Sequence, residues 1–206
     1  IYYALLEKYH NDYIQVQDAL ESLLQIKLAG RAIPSTLHPT HIHCKTQSGR
    51  LYVGEHELDI FSMSKDMVRD IWPHPKVSAT SESMAAVSQA DYVLFCPGSL
   101  YGSVIANLLP DGMIEALQAS QARKILITNL VSTRNENHGF TPLDFISVFK
   151  KYTGLAKPFD VMIIPDIDRP TFESKYPEAA ENYDDEHSYF LGWHDEELES
   201  VKQLDI

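Results

Sequence analysis

An apolar stretch at residues 92–96 runs straight into Pro97-Gly98-Ser99, and residues 103–109 begin a helix with almost no linker. A strand that passes at once into a helix is half of a β-α-β unit, and it limits the sheets that can follow. Residues 124–129 and 159–165 are further apolar blocks, separated by helical stretches at 111–121 and 142–152. Apolar strands that alternate with helices predict a parallel sheet flanked by helices, and so the α/β class. Pro142 after Thr141 opens the second of these helices, and Gly154 closes it.

The segments on either side are less regular. Residues 1–28 read as helices, with Ile14, Val16, Ala19, Leu20, Leu23, Leu24 and Ile26 as an apolar face and Gly30 as the stop. Residues 36–47 and 50–55 read as a β-hairpin about Ser48-Gly49. Residues 56–75 fit neither period, and Trp72-Pro73-His74-Pro75 is a rigid, non-helical break. A short strand is expected at 77–80 and a short helix at 81–88. Residues 166–187, rich in Asp, Glu, Pro and Tyr, are expected to form an extended arm or surface loop, with a terminal helix at 195–204. The domain reading is therefore one α/β domain over 1–165 with an acidic arm and short helix over 166–206.

Charge narrows the partners. A formal net charge of −12 over 206 residues disfavours a reader of nucleic-acid backbones or an anionic membrane surface. Cys44 and Cys96 form no CxxC pair and sit in apolar runs, so both are expected to be buried thiols in a reducing, cytoplasmic setting. The chain opens on Ile1 rather than Met and enters an apolar run, which suggests that it begins inside a longer protein.

Ligands of open parallel sheets bind beyond the carboxyl ends of the strands. Three loops lie there. In the first, Gly98 and Gly102 permit close backbone approach and positive φ, Ser99 and Ser103 can donate to phosphate oxygens, and Tyr101 could stack on a base or sugar. An ordinary turn capped by Ser103 fits the same residues. In the second, Arg134 could neutralise a diphosphate through its planar fork, Asn129 could read a sugar or base, and His138 could titrate near neutral pH. A solvated loop with Arg134 paired to Glu136 is the alternative. In the third, Asp166 and Asp168 could bind Mg²⁺ together with a substrate diphosphate, or simply be exposed acids of a turn. His41 and His43 share a strand face but lack a third ligand. No GxSxG elbow, Walker A or GxGxxG pattern is present.

The stretch from Ala90-Asp91 through Pro97-Gly98-Ser99-Leu100-Tyr101-Gly102-Ser103-Val104 to Asn107-Leu108-Leu109 resembles the AD-apolar-GPGSLYTSV-x-x-NLL signature of the CofD-like family. Three further stretches match in order. Gly30-Arg31-Ala32-Ile33-Pro34-Ser35-Thr36 resembles GRVLPAT, Asn129-Leu130-Val131-Ser132-Thr133 resembles CN(L/M)MTQ, and Gly139-Phe140-Thr141 with Asp144 resembles GYT-x-x-DH. The resemblance covers about residues 12–165. It implies a Rossmann-like fold that holds a nucleotide diphosphate, either as a YvcK-type gluconeogenesis factor that binds UDP-sugars and regulates carbon or cell-wall metabolism, or as a 2-phospho-L-lactate transferase-like phosphotransferase. The expected partner is thus a nucleotide-type small molecule. A homodimer is left open. The family's Gly-rich nucleotide loop and its DDGGSSG-type segment have no match here, and Arg134-Asn135-Glu136-Asn137 stands where the family has Pro-Gly-Glu-Thr.

Overall fold

The computed structural model describes residues 1–57, 64–204 and 206. The chain divides into two compact units, Ile1–Pro34 and Ser35–Ile206. In the first, α1 (Tyr2–Lys8) is followed by α2 (Tyr13–Leu24). Asp12 caps α2 by accepting from the Ile14 and Gln15 amides at 3.1 and 3.0 Å. The helix stops at Gln25, which takes the left-handed conformation, five residues before the expected Gly30. Gly30 instead accepts a hydrogen bond from the Gln17 carboxamide. Of the apolar face read from the sequence, Val16 is buried, while Leu23, Leu24 and Ile26 are exposed.

The second unit holds two sheets. In the first sheet, β1 (His41–Thr46) lies between β2 (Leu51–Val53) and β3 (Val68–His74), all antiparallel. The hairpin is as expected, but Trp72-Pro73 belongs to a strand rather than to a break. The proline is accommodated because β3 is an edge strand, where the missing N–H need not serve a neighbour. His43 packs on Trp72 and His74 with ring centroids 5.8 and 4.9 Å apart. Among the described residues no three His, Cys, Asp or Glu side chains are placed to hold a metal ion. The stretch expected as a strand at 77–80 makes a single bridge, Ser78 to Asp111, before Thr80 caps α3 (Ser81–Gln89).

The second sheet is parallel, in the order β4 (Tyr92–Phe95), β5 (Arg123–Ile127), β6 (Val161–Ile163). Between β4 and β5 lie one π turn at Leu100–Val104, one 3₁₀ turn at Ile105–Leu108 and α4 (Met113–Ala119). Between β5 and β6 lies α5 (Pro142–Thr153), with Thr141 and Asp144 closing a capping box and Gly154 ending the helix at φ +68°. This is the α/β fold read from the sequence. Phe149 of α5 packs on Phe95 of the sheet, and these two with Phe145 and Leu126 belong to one buried core. The opposite face, with Tyr92 and Leu94 of β4 and Ile163 of β6, is exposed. Cys96 continues the alternation toward that exposed side. It is therefore exposed, contrary to expectation, while Cys44 is buried.

Residues 166–187, expected as an extended arm, are largely helical, and the terminal helix expected at 195–204 is present. These helices are α6 (Arg169–Lys175), α7 (Pro177–Asp185) and α8 (Asp195–Lys202). Phe172 of α6 stacks on Phe190 at 4.0 Å and on Tyr183 at 5.9 Å, and Leu191, Trp193 and Val201 join the core. A few apolar residues fix a polar segment that has no surface periodicity. No helix among the described residues is long and apolar enough to cross a membrane.

Candidate functional site

The loops that follow β4, β5 and β6 converge at one end of the parallel sheet. The first two are tied together by side chains. Asn129 Nδ2 donates to the Gly98 carbonyl at 2.8 Å. The Ser99 hydroxyl donates to Glu136 Oε1 at 2.6 Å, and the Leu100 amide donates to Glu136 Oε2 at 2.7 Å. Glu136 is only 3% exposed. The anion at the Pro97-Gly98-Ser99 turn is therefore the protein's own carboxylate, in place of the phosphate for which Ser99 was expected to be a donor. Ser99, not Ser103, caps the turn, since its hydroxyl accepts from the Gly102 amide at 2.9 Å. Gly98 does not use a positive φ. Ser103 is exposed.

Tyr101, expected to stack on a ligand, points inward and is 3% exposed. Its ring meets Tyr152 edge-on at 6.3 Å, and burial, reinforced by Tyr152 and Glu136, raises its phenol pKa. Tyr152 in turn accepts from the Ile71 amide at 2.8 Å, and burial pushes it up to about 12. Cys44, buried in β1, is pushed up to about 11 by burial and then by the Glu136, Asp66 and Asp70 charges. These groups support the turn from behind as neutral side chains.

The second loop folds into a tight turn. The amides of Glu136, Asn137 and His138 all donate to the Thr133 carbonyl, at 3.1, 3.0 and 3.1 Å, and the Thr133 amide donates to Asn137 Oδ1 at 2.6 Å. The chain after α7 runs alongside it. Ser132 and Leu191 amides donate to the Tyr189 and Leu130 carbonyls at 2.9 and 2.8 Å, and Val131 bridges Phe190. Ser132 Oγ accepts from the Tyr189 amide at 3.0 Å and lies 3.1 Å from His138 Nδ1. The Tyr189 ring meets His138 at 4.3 Å and the Arg169 guanidinium at 4.0 Å, and its hydroxyl accepts from the Gly139 amide. Arg134 is half-buried and makes no ion pair among the described residues.

Burial, then the positive charges of Arg134, Arg169 and Lys65, hold His138 below its ordinary pKa. His138 is therefore expected to titrate below about 6.5 in the folded protein, which NMR of its ring protons would show. The unfolded chain binds the proton more readily. Stability from this residue is thus complete above about 6.5 and is lost as pH falls toward the folded midpoint.

The third loop is acidic. A groove of about 550 Å³ is lined by Asp166, Asp168, Thr171, Trp193, His194 and Asp195, among others. Asp168 accepts from the Thr171 amide at 2.9 Å, which caps α6, and lies 2.7 Å from His194 Nδ1. Its bonds to Thr171, with the smaller effect of His194, hold its carboxyl below the ordinary range. Asp166 is exposed, and no third ligand joins it among the described residues, so the Mg²⁺ expectation gains no coordination set. Sequence reasoning named Glu136 only as an alternative partner for Arg134, whereas it accepts from Ser99 and Leu100, and it missed Lys65 and Tyr189. Only contacts between residues far apart in the chain reveal their positions.

A family model described as 2-phospho-L-lactate transferase CofD matches residues 3–201. A putative gluconeogenesis factor from Pasteurella multocida is 35% identical over 160 residues, which span 78% of this chain and 50% of that protein. A gluconeogenesis factor from Listeria innocua is 29% identical over 149 residues, 72% of this chain and 45% of that protein. The chain thus spans about half the length of these relatives. A crystal structure of a member of the UPF0052 family from Bacillus halodurans superposes with a TM-score of 0.77 at 21% identity, covering 97% of this chain and 61% of that one.

Proposed function

Because the chain belongs to the CofD family, we propose that the cleft at the carboxyl end of its parallel sheet binds a nucleoside diphosphate, of the UDP-sugar type, in a regulatory protein of the YvcK kind. The observation that carries this reading is the half-buried Arg134, which has no ion-pair partner among the described residues and sits on a loop tied to the Pro97-Gly98-Ser99 turn through Asn129 and Glu136. A guanidinium in that place suits a diphosphate. The rim of the first loop, the half-buried Gly98 and Gly102 with the exposed Ser103, would border the nucleoside. The carboxylates of the adjoining groove suit sugar hydroxyls, which donate hydrogen bonds, better than they suit phosphate.

The gluconeogenesis-factor names of the relatives favour the regulatory reading over phosphotransfer. Calorimetry with UDP, a UDP-sugar, GDP and GTP tests it. A preference for uracil nucleotides without turnover is expected. A guanine preference with Mg²⁺-dependent consumption of a diphosphate donor would move the protein to the transferase branch. Arg134→Ala is expected to weaken nucleotide binding by about 1.5–3 kcal/mol, the usual range for a charged hydrogen bond, and an unchanged affinity would remove Arg134 from the site.

A further inference from the structure

In a chain of net charge −12, four basic side chains gather about one six-residue turn. Three links bring them together. Arg134 and His138 are four residues apart in a turn whose amides share one acceptor, the Thr133 carbonyl, and the Arg134 charge bears on the His138 ring. The Val68 amide donates to the Asn135 carbonyl at 2.7 Å, which brings the segment carrying Lys65 against the same turn. Arg169 reaches it through the Tyr189 ring, which touches both Arg169 and His138. One nearby acid, Glu173, engages only Arg169 at the edge of the group. Glu136 accepts from the Ser99 hydroxyl and the Leu100 amide. Arg134 and Lys65 make no ion pair among the described residues.

The turn also holds unused polar capacity. Asn135 and Asn137 are 1% and 0% exposed. Both amide atoms of Asn135, and the Asn137 nitrogen, have no hydrogen-bond partner among the described residues. Buried carboxamides left in this state are unusual and call for a partner. A bound group, or water ordered by it, would supply one.

We propose that this cationic turn, and not the Pro97-Gly98-Ser99 turn, is the subsite for a phosphate or diphosphate group, with Arg134 and Lys65 as its direct partners and Arg169 and His138 at its edge. The source of that group as a nucleotide rests on the function proposed above, whereas the location does not. The Ser99 and Leu100 donors already serve a carboxylate, so an incoming anion would have to displace Glu136 from two short bonds there, and it displaces nothing at the turn.

The test uses the whole chain, with inorganic pyrophosphate and UDP as probes in calorimetry, and the ring protons of His138 followed by NMR. Lys65→Ala and Arg134→Ala are each expected to weaken pyrophosphate about ten-fold. Arg123→Ala, which removes the same charge at the opposite end of β5, should leave it unchanged. Pyrophosphate should also raise the His138 midpoint, since an anion offsets the cations that hold it down. If UDP binds but neither variant changes pyrophosphate affinity and His138 does not move, the subsite is wrong and the nucleotide reading survives. If pyrophosphate behaves as stated and no nucleotide binds, the subsite stands and the nucleotide reading falls. If neither probe binds, both fail.

Discussion

Phe149→Ala is expected to lower the unfolding free energy by about 4 kcal/mol, within the range for aromatic truncation in a core. Phe149 is 0% exposed and packs edge-on against Phe95 of β4 at 4.9 Å and Phe159 before β6 at 4.6 Å. Phe95 and Phe159 also meet each other, at 5.7 Å, so the three rings form a closed triangle between α5 and the sheet. Removing one ring leaves a cavity edged by Phe95, held in β4, and by Phe159, buried just before β6. Both tryptophans, Trp72 and Trp193, lie in the Ser35–Ile206 unit, and their fluorescence in a urea titration reports on this core. A midpoint that moves without a change of slope would confirm the loss. A shift worth less than about 1.5 kcal/mol would mean that the sheet and α5 close over the gap.

Glu136→Ala comes next, at about 3 kcal/mol. The substitution removes two charge-assisted hydrogen bonds and leaves the Leu100 amide as a buried donor without an acceptor. Glu136→Gln keeps one oxygen acceptor and should cost about half as much. The two variants separate a carboxylate that organises the loop from one that merely fills space. If alanine and glutamine are equally mild, the bonds to Ser99 and Leu100 contribute little to stability. The location of the anion subsite is a separate question, because Arg134 and Lys65 make no ion pair among the described residues.

Local signals accounted for the parallel sheet. Residues 92–96, 124–129 and 159–165 announce strands because each is apolar along its length, and α5 is announced by Thr141, Pro142 and Gly154 at its two ends. β3 was harder to read, because Pro73 argues against a strand until it is known to lie at an edge. The helices α6 and α7 were hidden for a different reason. They are polar, and what fixes them is Phe172 on Phe190 and Tyr183, contacts made across the fold. The site shows the same division. Arg134 and Asn129 could be named from their loop alone. That Glu136 would claim the Ser99 hydroxyl, 37 residues away, could not, nor could the inward turn of Tyr101. The signature around Pro97-Gly98-Ser99 lies at the carboxyl end of the sheet, and the donors within it serve the fold.

The Leu100 amide has a use of its own. It is buried and donates to a side chain from another loop rather than to a neighbouring strand or helical turn. A backbone proton so placed exchanges with deuterated solvent only when the two loops part. Its exchange rate therefore measures the free energy of separating them, in one atom and without any label. A ligand that grips both loops would slow that exchange, while one that rests on the outer rim alone would leave it as it was.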